Sequence, residues 1–80
     1  MKTFIFNKSF ESQIDEFKKF VDTIDNIKSV KIDFFSDENM TMNEVQPIFS
    51  KICEIIGESV DVNFSCKYSK NPEYLCKVTF

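Results

Sequence analysis

The chain has 80 residues, with ten Lys and Arg against thirteen Asp and Glu and a formal net charge of −3. That length fits one domain, residues 1–80, and a hydrophobic content of 42% is enough to build a core. The absence of His and the single Gly exclude imidazole catalysis, His-ligated metal and glycine-rich phosphate loops, while the acidic balance argues against a nucleic-acid partner.

Residues 2–6 read as a short strand, with Phe4 and Phe6 on one face and Ile5 on the other. Residues 1–8 are not expected to act as a secretory signal, because the apolar run is short and no small-residue cleavage site follows. Residues 10–25 read as a helix capped by Asn7 or Ser9. Phe10, Ile14, Phe17, Val21 and Ile24 recur at spacings of 4, 3, 4 and 3, and Phe20 widens this stripe. The opposite face carries Glu11, Asp15, Glu16, Lys18, Lys19 and Asp22.

Residues 29–35 alternate. Val30, Ile32 and Phe34 face one way, and Lys31, Asp33 and Phe35 the other, as expected of a half-buried strand. Residues 36–39 form a polar connection. A second helix then begins at a capping box, Thr41-Met42-Asn43-Glu44. Its apolar stripe is Val45, Ile48, Phe49, Ile52, Ile55 and Ile56, and Gly57 is expected to end it in left-handed geometry. Pro47 lies beyond the first turn and predicts a kink or a separate short turn.

Residues 60–80 read as a hairpin closed by a loop at 69–73. The expected register pairs Tyr68 with Tyr74, Cys66 with Cys76, Phe64 with Val78 and Val62 with Phe80. The whole chain is then α+β, a two-layer βαβαββ fold in which both helices cover one face of a mixed four-stranded sheet.

Residues 29–80 resemble the C-terminal domain of the FtsZ family, the tubulin-like GTPases of bacterial division. The likeness rests on the strand Val30-Lys31-Ile32-Asp33-Phe34-Phe35, the helix start Thr41-Met42-Asn43-Glu44-Val45 and the segment Ile52-Cys53-Glu54-Ile55-Ile56. It continues through Val60-Asp61-Val62-Asn63-Phe64 and Lys77-Val78-Thr79-Phe80. Residues 3–25 match the preceding strand and helix by topology only. The resemblance implies the fold, which small trimeric enzymes of the chorismate-mutase type share. It does not imply GTP hydrolysis, because the nucleotide-binding domain and the acidic activating loop are missing from this sequence. A lone copy of the domain is expected to bind division filaments or to self-associate.

No catalytic, cofactor-binding or metal-ligating constellation stands out, so the expectation is a non-catalytic protein-interaction module that needs no cofactor and no small-molecule ligand. Its surface is expected at Ile5, Phe35 and Leu75, which interrupt the polar face of the sheet. Two other readings stay open. One is a phage- or plasmid-borne inhibitor that presents Asp15, Glu16 and Asp22, within an acidic run extending from Glu11 to Asp25, Asp37 and Glu38, to a basic target. The other is an oligomeric enzyme with a site between subunits. Cys53, Cys66 and Cys76 lack CxxC spacing and read as reduced thiols of a cytoplasmic protein. Cys66 and Cys76 read first as small buried hydrophobes and second as a redox pair. Tyr68 and Tyr74, near Lys67, Lys70 and Lys77, read first as a cross-strand aromatic pair and second as a base-stacking surface. Apolar stretches of two or three residues span no membrane.

Overall fold

The structure, a computed structural model, describes residues 2–37 and 41–80. Four strands, β1 (Thr3–Phe6), β2 (Ser29–Ser36), β3 (Asp61–Tyr68) and β4 (Cys76–Thr79), form one mixed sheet in the order β1-β4-β2-β3. Two helices, α1 (Ile14–Asp22) and α2 (Met42–Ile56), connect β1 to β2 and β2 to β3. The fold is the expected two-layer α+β arrangement. Phe6, Val30, Ile32, Phe34, Cys76 and Val78 of the sheet join Phe17 of α1 and Val45, Ile52 and Ile56 of α2 in a single buried cluster. Each large side chain taken from water into this layer contributes roughly 1.5–3 kcal/mol.

Aromatic rings fill the α1 half of that core. Phe17 lies 5.1 Å from Phe4 and 4.9 Å from Phe6, and Phe20 lies 5.3 Å from Phe4 and 5.8 Å from Phe80. The α2 half is closed by Phe49, which meets Phe64 edge-on at 4.9 Å. These tilted and edge-to-face contacts suit the ring quadrupole.

The hairpin expected over residues 60–80 does not form. β3 pairs with β2 in parallel, and β4 inserts between β2 and β1, antiparallel to both. Alternation fixes which face a side chain takes but not which strand lies beside it. A helical crossover lets β3 add directly to β2, and the connection 69–75 carries the chain past the end of β2 to the far side. The residues expected to pair are therefore separated by one strand. Phe34 sits between Cys66 and Cys76, and Ile32 between Phe64 and Val78.

Local differences have local causes. The first helix starts as a 3₁₀ turn, Phe10–Gln13. Asn7 Oδ1 accepts from the Ser9 amide at 2.8 Å rather than capping the helix, and the Ser12 hydroxyl donates to the Ser9 carbonyl at 2.7 Å. At its other end α1 stops at Asp22, where the Thr23 hydroxyl donates to the Phe20 carbonyl at 2.7 Å and competes with the helical ladder. Thr41 is the extended N-cap of α2, and its carbonyl accepts from Glu44 at 3.0 Å, but its side chain makes no capping bond. α2 runs through Pro47 as one helix, with no separate turn. Gly57 has φ 113° and ψ 161°, a positive φ but the mirror-extended region rather than the left-handed helical one. Glu38 and Asn39, expected in the polar connection, lie outside the described residues.

Candidate functional site

The two edges of the sheet are built differently. At the β3 edge, Asp61 donates its amide to the Lys28 carbonyl at 3.0 Å, and Ser69 donates to the Ser36 carbonyl at 2.8 Å. In a parallel ladder a residue directs its N–H and C=O to the same neighbour. Asp61, Asn63, Ser65 and Lys67 therefore face β2. Val62, Phe64, Cys66 and Tyr68 direct their backbone groups outward, where no further strand lies among the described residues. Three of those four side chains are also uncovered: Phe64 is 40% exposed, Tyr68 is 65% exposed and Cys66 is exposed. Phe64 still packs on Phe34 at 5.6 Å and on Phe49, so its exposed part is the side turned to the open edge.

The edge is anchored from behind. Asp33, on the polar face of β2, is buried and accepts a hydrogen bond from the Ser65 hydroxyl of β3, its register partner. Lys31 Nζ stands 4.0 Å from the other carboxylate oxygen. This cross-strand pair holds the centre of β3 to the sheet and leaves its outer side preorganised.

At the β1 edge one side chain occupies part of the outward backbone, the Ile5 carbonyl and the Asn7 amide just past the strand. The Gln13 side-chain amide donates to the Ile5 carbonyl at 3.1 Å and accepts from the Asn7 amide at 2.7 Å. One side chain thus does what a neighbouring peptide group does in a ladder, and it blunts a strand that is only four residues long.

The expected surface residues have different surroundings. Ile5 is 45% exposed on β1. Leu75 is buried, because its backbone turns out of strand alternation: its amide donates to Phe6 of β1 at 2.8 Å while its carbonyl accepts from Phe35 of β2 at 2.9 Å. Phe35 is partly buried and meets Tyr74 edge-on at 5.1 Å. Phe35 and Leu75 thus come together, but in the wall of a cleft of about 480 Å³ that also involves Phe10, Ile48 and Tyr74. Ile5 stands apart from them.

Asp15, Glu16 and Asp22 are all exposed on α1. Asp15 and Glu16 occupy its first turn, where a negative charge complements the helix dipole. Lys18 and Lys19 intervene, each four residues from an acid of this set, so the face is mixed in sign. Glu38 of the same acidic run lies outside the described residues.

Tyr68 and Tyr74 do not pair across a hairpin, since Tyr68 is in register with Ser36. Cys66 and Cys76 lie on strands separated by β2, about 10 Å apart by strand spacing. A disulfide needs Cα atoms within about 7 Å, so the fold keeps these thiols from joining. Burial pushes the Cys76 thiol up to about 12, with the Asp33 charge adding to the effect. Burial alone raises that of Cys53. Among the described residues, no three His, Cys, Asp or Glu side chains converge to hold a metal ion, and no helix is long and apolar enough to cross a membrane.

The open β3 edge with Phe64, Cys66 and Tyr68 was missed at the sequence level because the hairpin reading placed β4 against it. The sequence offered no clear signal, since the loop read at 69–73 has an ordinary hairpin length and the longer connection 69–75 emerges only in the fold. Compared with known proteins, the chain matches no family model, no curated protein and no solved structure.

Proposed function

We propose that this chain is a non-catalytic protein-interaction module that docks an extended segment of a protein along the outer edge of β3. The observation that carries this reading is that one set of residues, Val62, Phe64, Cys66 and Tyr68, offers both outward backbone groups and undercovered apolar side chains. Strand addition uses this combination: main-chain bonds give affinity and alternate side chains give specificity. The β1 strand is short and partly occupied by Gln13, which favours such pairing on the β3 side of the sheet. Three free thiols, one of them exposed, suit a reducing, cytoplasmic setting. The resemblance of residues 29–80 to the FtsZ C-terminal domain makes division filaments one protein surface to offer the module.

Cys66→Pro tests the reading. It removes an outward N–H without touching the ladder to β2, a position at which edge strands accept proline. Wild type and variant, both verified as folded by circular dichroism, serve as bait for proteins of a native lysate and for a differently tagged copy of the chain. Retention that the wild type shows and the variant loses is the expected result. Equal retention by both removes the edge from the account.

A further inference from the structure

The charge pattern along β3 identifies the strand that fits it. Asp61 stands at one end of the polar side of the strand and Lys67 near the other, with Asn63 and Ser65 between them. Both charged residues are exposed, and among the described residues neither makes an ion pair. We infer that the occupant of the edge is a second copy of this chain, whose β3 pairs antiparallel with the first about a twofold axis at Phe64.

This rests on the reading of β3 as a docking edge and adds the partner and the register. Only residues with outward backbone groups can exchange hydrogen bonds across the new junction, so the even-numbered residues must face one another. With the axis at Phe64, Val62 bonds with Cys66 of the second copy, and the two Phe64 residues bond with each other. Asp61 then lies opposite Lys67 of the second copy, and Lys67 opposite its Asp61. These are non-hydrogen-bonded pairs, whose side chains approach more closely than those of the bonded pairs. Asn63 and Ser65 face each other between them. Moving the axis to Asn63, Ser65 or Cys66 keeps the backbone rule but sets both charges opposite neutral partners or none. The Phe64 axis alone pairs every charge of the strand with its opposite. It also joins the two uncovered Phe64 side chains on the helix-bearing face as a cross-strand aromatic pair.

The test is sedimentation equilibrium of the full chain from micromolar to millimolar concentration, for wild type, Asp61→Lys and Lys67→Asp, separately and mixed. The wild type is expected to dimerise. Either single variant sets two like-charge pairs across the junction and weakens its own dimer about tenfold. An equimolar mixture of the two variants recovers association. One strand of the mixed pair then carries two positive charges and the other two negative ones, so both cross-junction pairs join opposite signs. A wild type that stays monomeric at millimolar concentration overturns the inference, and so does a mixture that associates no better than its components. If self-association fails but loss of retained proteins on Cys66→Pro persists, self-pairing falls and the docking edge stands. If that loss is absent too, both fall.

Discussion

Cys53, Cys66 and Cys76 carry the same chemistry in three environments, and their reactivities should separate accordingly. Cys66 is exposed, Cys53 partly buried and Cys76 fully buried. A thiol-labelling time course is expected to modify Cys66 first and Cys53 more slowly, and to reach Cys76 only as the chain unfolds. Equal labelling of Cys66 and Cys76 in the folded chain contradicts this placement. The thiol of Cys76 is pushed from 9.0 to about 12 on folding, so the unfolded chain loses that proton first as pH rises. The stability linked to it is complete below about 9 and is lost as the pH climbs through the folded-state value. Urea titrations across the alkaline range should show a shallower decline for Cys76→Ala than for wild type. At Gly57, a Cβ meets nothing within 4 Å, so the cost of Gly57→Ala is conformational. With φ at 113°, that cost should be about 1–3 kcal/mol, read as a lower urea midpoint at unchanged slope.

At the scale of elements, the Gln13 bonds at the β1 edge and the proline in α2 are the two features to perturb. Gln13→Ala removes both bonds of the side-chain amide. Amide exchange at Asn7 should accelerate, and stability should fall by about 1 kcal/mol, because these bonds are exposed to water. Pro47 lies six residues beyond the N-cap, exposed, and denies the Asn43 carbonyl its helical donor. Pro47→Ala is expected to raise stability by about 1–3 kcal/mol, measured by thermal or urea unfolding. The apolar stripes of both helices and the alternation of β2 were legible from spacing alone, because each is a periodic signal tied to one buried face. The ends were less so. Asn7, Ser9 and Thr41 have capping chemistry, yet Asn7 is used in a local turn and Ser9 and Thr41 make no side-chain cap. Gly57 was recognisable as a terminator, whereas its mirror-extended geometry depends on how the chain turns toward β3.

For the whole molecule, the two-layer architecture follows from the amphipathic patterns, since every element has one apolar side to hide. Strand order does not. Val62, Phe64, Val78 and Phe80 would alternate in the same way beside β2 or beside each other, and the choice rests on connection length and on the cross-strand Ser65–Asp33 bond, neither of which is periodic. The candidate site was harder to read for the same reason: an open edge is a property of topology. Leu75 illustrates the limit, as its alternation assigns it to the polar face while its split backbone bonding turns it into the core. The core itself should answer to its central ring. Phe17, fully buried among Phe4, Phe6 and Phe80, should cost about 3–5 kcal/mol on truncation to Ala, a large share of the stability of a domain this size.

Residue-resolved amide exchange of β3, followed over concentration, probes the docking edge most directly. In dilute solution the amides of Asn63, Ser65 and Lys67 should exchange slowly, and those of Val62, Phe64, Cys66 and Tyr68 quickly. The fast set should become protected as a pairing strand is added or as the chain is concentrated. Uniform protection of all seven amides in the dilute monomer, or a fast set that stays fast at every concentration and with every partner, would contradict the account.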